Sequence, residues 1–144
     1  MNLKPTHPDD LPLLAATLRT CDLKEIELGT ASLPLEAVTT ACSYSDFTQS
    51  IWTEAGLLAG IWGVGPLRPG AGSIWMLGSP ELESIPLSFL RACRPAIARA
   101  HALYPTLACA AWRENALHLN WLRWLGFTQN DVGHPHFIPH YRHV

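Results

Sequence analysis

Charged side chains are scarce in this chain. They make up 15% of its 144 residues, against about 25% in an average globular domain. The net charge is −2 and the isoelectric point is near 6.4, with the basic residues scattered, so no cationic patch is available for nucleic acid. Hydrophobic residues make up 48%, which excludes a disordered chain and leaves apolar surface for a protein partner.

Long apolar runs, a secretory signal and paired cysteines are also missing. No run approaches the length of a membrane-spanning helix, and the start, MNLKPTHPDD, has no apolar segment after a basic one. The four cysteines (Cys21, Cys42, Cys93 and Cys109) include no CxxC pair, which argues against a zinc framework or a disulfide scaffold. We expect reduced thiols in a cytosolic setting, one domain over residues 1–144, and no contact with nucleic acid or membrane.

Hydrophobic periodicity and turn residues predict the order β-α-α-β-β-β-α-β-α-β-β. The predicted strands are 3–6, 49–53, 57–64, 73–77, 107–112, 127–132 and 137–142, of which the last two form an antiparallel pair. The predicted helices are 8–19, 34–41, 86–102 with a kink at Pro95, and 115–126. The stretch 65–72 is predicted to be loop throughout. This order implies an α+β domain with a mixed sheet.

The most informative stretch runs from Trp112 to Phe127, with the sequence WRENALHLNWLRWLGF. Asn115 is a good N-cap, because its side chain can accept a bond from a backbone N–H of the first helical turn. Gly126 stands where a helix needs a left-handed residue to end, and Phe127 starts an extended run. The stretch therefore predicts the end of a strand, a capped helix and a glycine stop.

These features resemble the GNAT N-acyltransferases over nearly the whole chain. Asn115 and the pair Gly126-Phe127 have the spacing of the last helix of that family, and Leu3–Thr6 followed by Asp9-Asp10-Leu11 resembles its opening strand and helix. The resemblance implies a GNAT-like fold, a mixed and mostly antiparallel sheet flanked by helices. It also implies where acetyl-CoA would bind if the chain uses it, with Leu77, Gly78 and Asn115 as the candidate contacts.

Two departures from the family argue against its reaction. Active members hold the pyrophosphate of acetyl-CoA with a glycine-rich loop before the long helix, whereas Gly78–Ser84 here reads GSPELES, with Pro80 and two glutamates. Many members carry a tyrosine seven residues after the asparagine as general acid, and the matching residue here is Leu122, which has no proton to give. The loop is therefore interpreted as non-binding.

The same helix is similar to that of the small internal virion proteins of short-tailed phages. They share the asparagine, a histidine three residues on (His118), an aromatic-leucine pair (Trp121-Leu122) and the glycine, and their preceding strand and long helix are similar to Trp75 and the helix after it. That resemblance implies a GNAT-like fold used in virion assembly without catalysis. The six tryptophans fit an apolar surface for packing against other virion proteins.

Histidines and glycines elsewhere give no firm site. His118 falls in the apolar arc of its helix, which predicts a core residue bonded to a backbone carbonyl. The four C-terminal histidines have no ligand nearby except Asp131, so a solvated or interface tail is expected rather than a metal site; they are His134, His136, His140 and His143. Gly60, Gly63 and Gly65 are not followed by Lys-Ser/Thr, so they are no phosphate loop.

The leading hypothesis is a non-catalytic virion or morphogenesis protein. It predicts no catalytic residue, no metal and no cofactor, other virion proteins as partners in an assembly, and a location in the virion or in the host cytoplasm. The alternative is an acetyl-CoA-dependent N-acyltransferase with an atypical site, which would use acetyl-CoA and have Glu54 or Glu81 as base. A third hypothesis is a host-directed binding module.

Overall fold

The computed structural model describes all of residues 1–144. The strands are β1 (Asn2–Pro5), β2 (Phe47–Trp52), β3 (Leu58–Arg68), β4 (Ala71–Gly78), β5 (Thr106–Trp112), β6 (Thr128–Gln129) and β7 (Phe137–His143). The helices are α1 (Asp10–Ala15), α2 (Thr20–Gly29), α3 (Pro34–Tyr44), α4 (Pro86–His101) and α5 (Ala116–Trp124), and a 3-10 turn at Pro80–Ser84 precedes α4. No helix combines the length and the apolar character that crossing a membrane requires.

The strands form one seven-stranded sheet in the order β1-β2-β3-β4-β5-β7-β6. All neighbouring strands are antiparallel except β4 and β5, which are parallel and are connected through α4. This arrangement confirms the predicted α+β class with a mixed, mostly antiparallel sheet. It also confirms the terminal antiparallel pair, although β6 is reduced to two residues.

Helices cover both faces of the sheet, and each face has its own core. On one face α1, α2 and α3 pack over β3, around the fully buried Leu14, Val38 and Ile61. On the other face α4 and α5 pack over the sheet around Ala100 and Leu107. Successive side chains of a strand point to opposite faces, so β4 contributes Ile74 and Met76 to the second core, and Trp75 and Leu77 to the first.

The predicted helix 8–19 is present but shorter than predicted. Helix α1 ends at Ala15, and α2, which the sequence did not predict, begins at Thr20. Arg19 between them is extended, with ψ 154°, and its backbone N–H donates to the carbonyl of Gly78 at 2.9 Å. The break in the helical pattern is therefore a contact with the end of β4.

The predicted loop 65–72 is wrong. Strand β3 continues to Arg68 and β4 begins at Ala71, which leaves a tight turn in which Gly70 has φ +79°. Gly65 lies in the strand because the chain there passes the backbone of Tyr44: a Cβ at position 65 would lie 2.2 Å from the Tyr44 carbonyl oxygen. Pro66 is tolerated because the register of β3 and β4 is irregular between Pro66 and Arg68.

Tryptophans lie mostly inside the molecule. Trp62 is buried, and Trp52, Trp75, Trp112 and Trp121 are half-buried. Trp124 at the end of α5 is 46% exposed and lies under the guanidinium of Arg94, 4.6 Å from its carbon to the ring centre. The tryptophans therefore serve the two cores more than any outer surface.

Candidate functional site

The sheet opens between its two parallel strands. Strands β4 and β5 pair only from Ala71 to Ser73 and from Thr106 to Ala108, and beyond these residues they separate. Backbone groups alternate along a strand: Gly78 turns its N–H away from β3, whereas the N–H of Ser79 donates to the carbonyl of Ala59 in β3. The peptide groups of Met76 on β4, and by the same alternation those of Ala110 on β5, therefore face the gap without a strand partner.

Helix α2 closes the far end of this gap. The Asp22 carboxylate accepts the backbone N–H of Gly78 at 3.1 Å, and one turn later the Glu25 carboxylate accepts the N–H of Trp112 at 3.4 Å. Residues three apart on a helix lie on the same face, so one face of α2 bonds to the ends of both strands. These two side chains take the place of the hydrogen bonds that β4 and β5 do not make with each other.

Asp22 is held by an ion pair with Arg19. The Arg19 Nε donates to Asp22 Oδ2 at 2.7 Å, and both side chains are largely buried. Burial raises the pKa of Asp22, against the opposing effect of the Arg19 bond. Burial is the largest single effect on Arg19 and lowers its pKa, but the hydrogen bond to Asp22 and the neighbouring negative charges together outweigh it, so the pKa is raised. A Cβ on Gly78 would lie only 3.1 Å from the Arg19 Nε, so glycine leaves room for the pair.

Glu25 also bonds to a residue of α5. The His118 Nδ1 lies 3.2 Å from Glu25 Oε1, and both side chains are mostly buried, with 23% and 17% of their surface exposed. When Nδ1 carries the proton and donates it to the carboxylate, Nε2 keeps a lone pair that can take a proton from a substrate. Nothing within the chain bonds to that nitrogen. The expectation that His118 bonds to a backbone carbonyl in the core is therefore wrong.

Cysteine and histidine on the neighbouring strands are held neutral. Burial, with Glu25 adding to it, raises the pKa of the Cys109 thiol to about 12, so this cysteine is no thiolate nucleophile. His140 is paired with Cys109 across β5 and β7 and is fully buried, with Nδ1 2.8 Å from the Ile138 carbonyl. Burial lowers the pKa of His140. The expectation of a solvated histidine tail is wrong for this residue.

The other C-terminal histidines do not gather around one point. His134 and His136 precede β7 instead of alternating along it, and the His134 Nδ1 accepts the backbone N–H groups of His136 and Phe137 at 3.0 Å. Arg113 fixes this connection through a two-pronged bond to Asp131, at 2.6 and 2.9 Å, and a bond to the His134 carbonyl.

The segment after β4 forms a tight turn in place of a glycine-rich loop. The Ser79 hydroxyl accepts the N–H of Glu81 at 3.3 Å and donates to the Leu58 carbonyl at 2.6 Å. The turn carries the carboxylates of Glu81 and Glu83. Helix α4 then begins at Pro86, which has no N–H, and the N–H of Phe89 donates to the Ile85 carbonyl, so in the first turn the N–H groups of Leu87 and Ser88 are the ones without a helical partner.

The residues that the sequence suggested as contacts of acetyl-CoA lie around the gap, but they do not line it as expected. The side chain of Leu77 packs into the core under α1–α3, and both backbone groups of Gly78 are already bonded to α2 and Arg19. Asn115 caps α5 as predicted, by accepting the N–H of His118 at 3.2 Å. Leu122, at the position of the family's tyrosine, is buried in the core.

The two carboxylates at the gap, those of Asp22 and Glu25, were not predicted from the sequence. Glu54, proposed as a base, lies instead at the β1 edge of the sheet, 3.7 Å from the N-terminal amine, and is almost fully exposed. Asp22 and Glu25 on α2, with Arg19 just before the helix, form a charged face, and the one apolar buried residue of α2 is Ile26. The spacing of three between those charged residues was the available signal, and it resembles an ordinary solvated helix face.

Comparisons with known proteins place this geometry in a fold. No protein-family model and no curated protein match the sequence. The structure is similar to an acetyltransferase of Bacillus subtilis in complex with CoA, with 15% identity, a TM-score of 0.68, and 99% and 97% of the two chains covered. It is similar to the ribosomal-protein-alanine N-acetyltransferase of Brucella melitensis, with 15% identity, a TM-score of 0.73 and both chains covered by 100%. A third similar structure is the PaiA N-acetyltransferase of Thermoplasma acidophilum in complex with coenzyme A, with 12% identity, a TM-score of 0.68, and 99% and 98% covered.

These matches correct the leading hypothesis. These three proteins, which match over nearly their whole length, are acetyltransferases and not virion components, so the prediction of a phage virion protein is wrong. The expectation of no cofactor is wrong on the same comparison, because two of these structures hold coenzyme A. Similarity over the whole length of the chain shows that it has the GNAT acetyltransferase fold.

Proposed function

We propose that this protein is an acetyl-CoA-dependent N-acetyltransferase. The observation that carries the proposal is the gap between β4 and β5, with the unpaired peptide groups of Met76 and Ala110 on its two sides. It occurs in a chain that aligns along its full length with acetyltransferases solved with coenzyme A. A gap in the middle of a sheet leaves strong backbone donors and acceptors without partners, which an extended ligand with amide groups can satisfy.

The residues present fit the arm of coenzyme A better than its diphosphate. The arm carries amide groups, which match the peptide groups of Met76 and Ala110 in hydrogen-bonding character. The diphosphate would depend on the N–H groups at the start of α4, because the preceding turn has no glycines and brings Glu81 and Glu83 to the same end. We therefore expect the chain to bind coenzyme A, with an affinity that these two carboxylates lower.

The acceptor amine is proposed to approach the gap beside His118 of α5. There Glu25 holds His118 in the tautomer that leaves Nε2 free, and Nε2 removes the proton that an attacking ammonium group must lose. The Glu25 carboxylate then stabilises the imidazolium that forms. When bound, acetyl-CoA supplies the acyl group as a reactive thioester. Leu122 supplies no proton, so His118 is the residue of α5 that takes up and returns it.

Binding is tested first, by calorimetry and by thermal unfolding with coenzyme A. A ligand that binds only the folded protein stabilises it by about 2.7 kcal/mol at a hundred times its dissociation constant. Desulfo-coenzyme A serves as a control for reaction of the free thiol with cysteines. The absence of binding at millimolar concentration would refute the proposal.

Transfer is tested next, by following thiol release from acetyl-CoA with a panel of primary amines, amino acids and N-terminal peptides. We expect thiol release that depends on the amine and an acetylated amine in the mass spectrum. Binding of coenzyme A without transfer to any amine would agree with the fold but refute the proposed acetyl transfer. The predictions that the chain binds neither nucleic acid nor membrane, and that it joins an assembly, stay predictions.

A further inference from the structure

Trp121 of α5 lies in the middle of a row of three rings. Its ring centre is 5.8 Å from that of His118, one turn earlier on the same helix, and 5.6 Å from that of Phe89 on α4. The ring planes are tilted by 36° and 33°, and both distances fall in the range in which stacked or tilted rings attract one another. The row therefore connects His118 to the first turn of α4 through Trp121.

Packing holds the Trp121 ring in place. The residue is half-buried and packs against the core under α4 and α5. Its indole N–H is buried, and its neighbour there is the sulfur of Cys93, a weak acceptor, so no full hydrogen bond is made. Burying a donor without a good acceptor is costly, and a phenylalanine at this position would avoid that cost. What Trp121 contributes is therefore its aromatic surface and not a hydrogen bond.

The imidazole of His118 makes one hydrogen bond within the chain, the contact of its Nδ1 with Glu25 at 3.2 Å. A ring held at a single atom can still tilt about that bond, and a second fixed neighbour on the ring restricts this motion. Trp121 is that neighbour. The Nε2 atom of His118 reaches solvent, unlike those of His101 and His140, which are buried without partners. The orientation of the His118 ring therefore decides where an accessible proton acceptor points.

We infer that Trp121 is a positioning residue for His118. It keeps the imidazole in the plane in which Nδ1 stays on Glu25 and Nε2 faces the acceptor amine. It also stabilises the imidazolium that forms when Nε2 takes up a proton, because a cation within about 6 Å of an indole ring centre is attracted to the π-electrons. The effect on rate rests on the proposed acetyl transfer, whereas the orientation of the ring does not.

The orientation is tested by nitrogen-15 NMR of the histidine rings in the full chain without ligand, at alkaline pH, where histidine rings are neutral. The His118 signals are assigned with a His118→Gln variant, and in the wild type we expect one tautomer, with the proton on Nδ1. Trp121→Leu should give a mixture of the two tautomers, whereas Trp121→Phe, which keeps an aromatic ring, should retain the wild-type signals. Trp124→Leu is the matched control, because it removes the same side chain from the same helix at a position where the ring lies under Arg94 and not beside His118.

Kinetics test the effect on the base. Trp121→Leu should lower kcat for acetyl transfer about threefold, the size of a partly exposed contact between a cation and an aromatic ring. KM for acetyl-CoA should stay unchanged, because the loss concerns the base and not the cofactor, and Trp121→Phe should restore kcat. If Trp121→Leu does not fold, Phe89→Leu takes its place, since it removes the support of Trp121 without touching His118 and should give a smaller change of the same kind.

Wild-type His118 signals in Trp121→Leu, or the same change in Trp121→Leu and Trp124→Leu, would overturn the inference. The proposed function fails in a different way. Mixed tautomers in Trp121→Leu, in a chain whose wild type transfers no acetyl group to any amine, would support the role of Trp121 in orienting the ring and refute the acetyl transfer.

Discussion

Glu25 and His118 are 93 positions apart in the sequence, and their side chains meet at 3.2 Å. One comes from α2 on one face of the sheet and the other from α5 on the opposite face. They meet because β4 and β5 separate, and the opening lets side chains of the two layers touch. Both the candidate chemistry and most of the predictions below depend on this opening.

Replacing Glu25 by Gln should lower kcat/KM for acetyl transfer by about a hundredfold, the usual scale of a general-base contribution. Glutamine cannot stabilise the imidazolium, and its amide can bond to His118 in the wrong tautomer. Thiol release measured with the best amine of the panel gives the number. Glu27→Gln on the same helix, whose carboxylate is exposed and lies 3.7 Å from Lys24, should leave the rate unchanged. Full activity of Glu25→Gln would remove the pair from the mechanism.

Replacing Asp22 by Asn should destabilise the protein by about 2 kcal/mol, because Arg19 keeps its charge in a largely buried position and loses its carboxylate. Urea unfolding followed by circular dichroism measures the change. Glu27→Gln again serves as control, with an expected change below about 0.5 kcal/mol for a surface substitution. If the two variants unfold at the same urea concentration, the Arg19–Asp22 pair contributes nothing to the closure of the gap.

Acid should weaken the connection between β6 and β7. The bond from Arg113 holds the pKa of Asp131 well below its ordinary value of 3.8. The unfolded chain therefore takes up this proton first as the pH falls, so the stabilisation is present above about pH 4 and is lost as the pH falls through the folded pKa. The advantage of the wild type over Asp131→Asn in urea unfolding should shrink from pH 7 to pH 3. The stability advantage of the wild type over Arg113→Gln should shrink over the same pH range. An advantage that does not change with pH would contradict the role assigned to the Arg113–Asp131 bond.

Removing the carboxylates of the turn before α4 should tighten coenzyme A binding. Glu81→Gln with Glu83→Gln removes two negative charges from the end of the gap where the diphosphate is proposed to lie. We expect the dissociation constant to fall about threefold in low salt and the effect to fade as salt screens the charges. Glu36→Gln on α3 removes one charge elsewhere and should have no effect. Weaker binding in the double variant would place the diphosphate at another position.

The order of the elements could be predicted from the sequence because their apolar residues recur with clear periods. Asn115 and Gly126 fixed the bounds of α5 closely, since a cap and a left-handed glycine are local properties. Helix α2 could not be recognised in the same way. Its inward residues include Asp22 and Glu25, with Arg19 just before the helix, and Ile26 is its one buried apolar residue, so the sequence pattern looks like that of a solvated helix.

The site could be predicted even less, since it depends on contacts between distant segments. The role of His118 is set by Glu25, and nothing near His118 in the sequence indicates that partner. The loop after β4 was interpreted correctly as lacking glycines, but the conclusion that no cofactor binds gave that one loop too much weight. The unpaired peptide groups of Met76 and Ala110 belong to strands whose separation no local pattern reports.

An opening in the middle of a sheet also carries a risk of aggregation. Exposed strand edges recruit strands from other molecules, and most sheets restrict them to their outer margins. This sheet has two further edges in its interior, and α2 shields their ends by bonding to Gly78 and Trp112. We therefore expect the ten residues of α2 to hinder intermolecular strand addition at this gap, besides supplying side chains for the site.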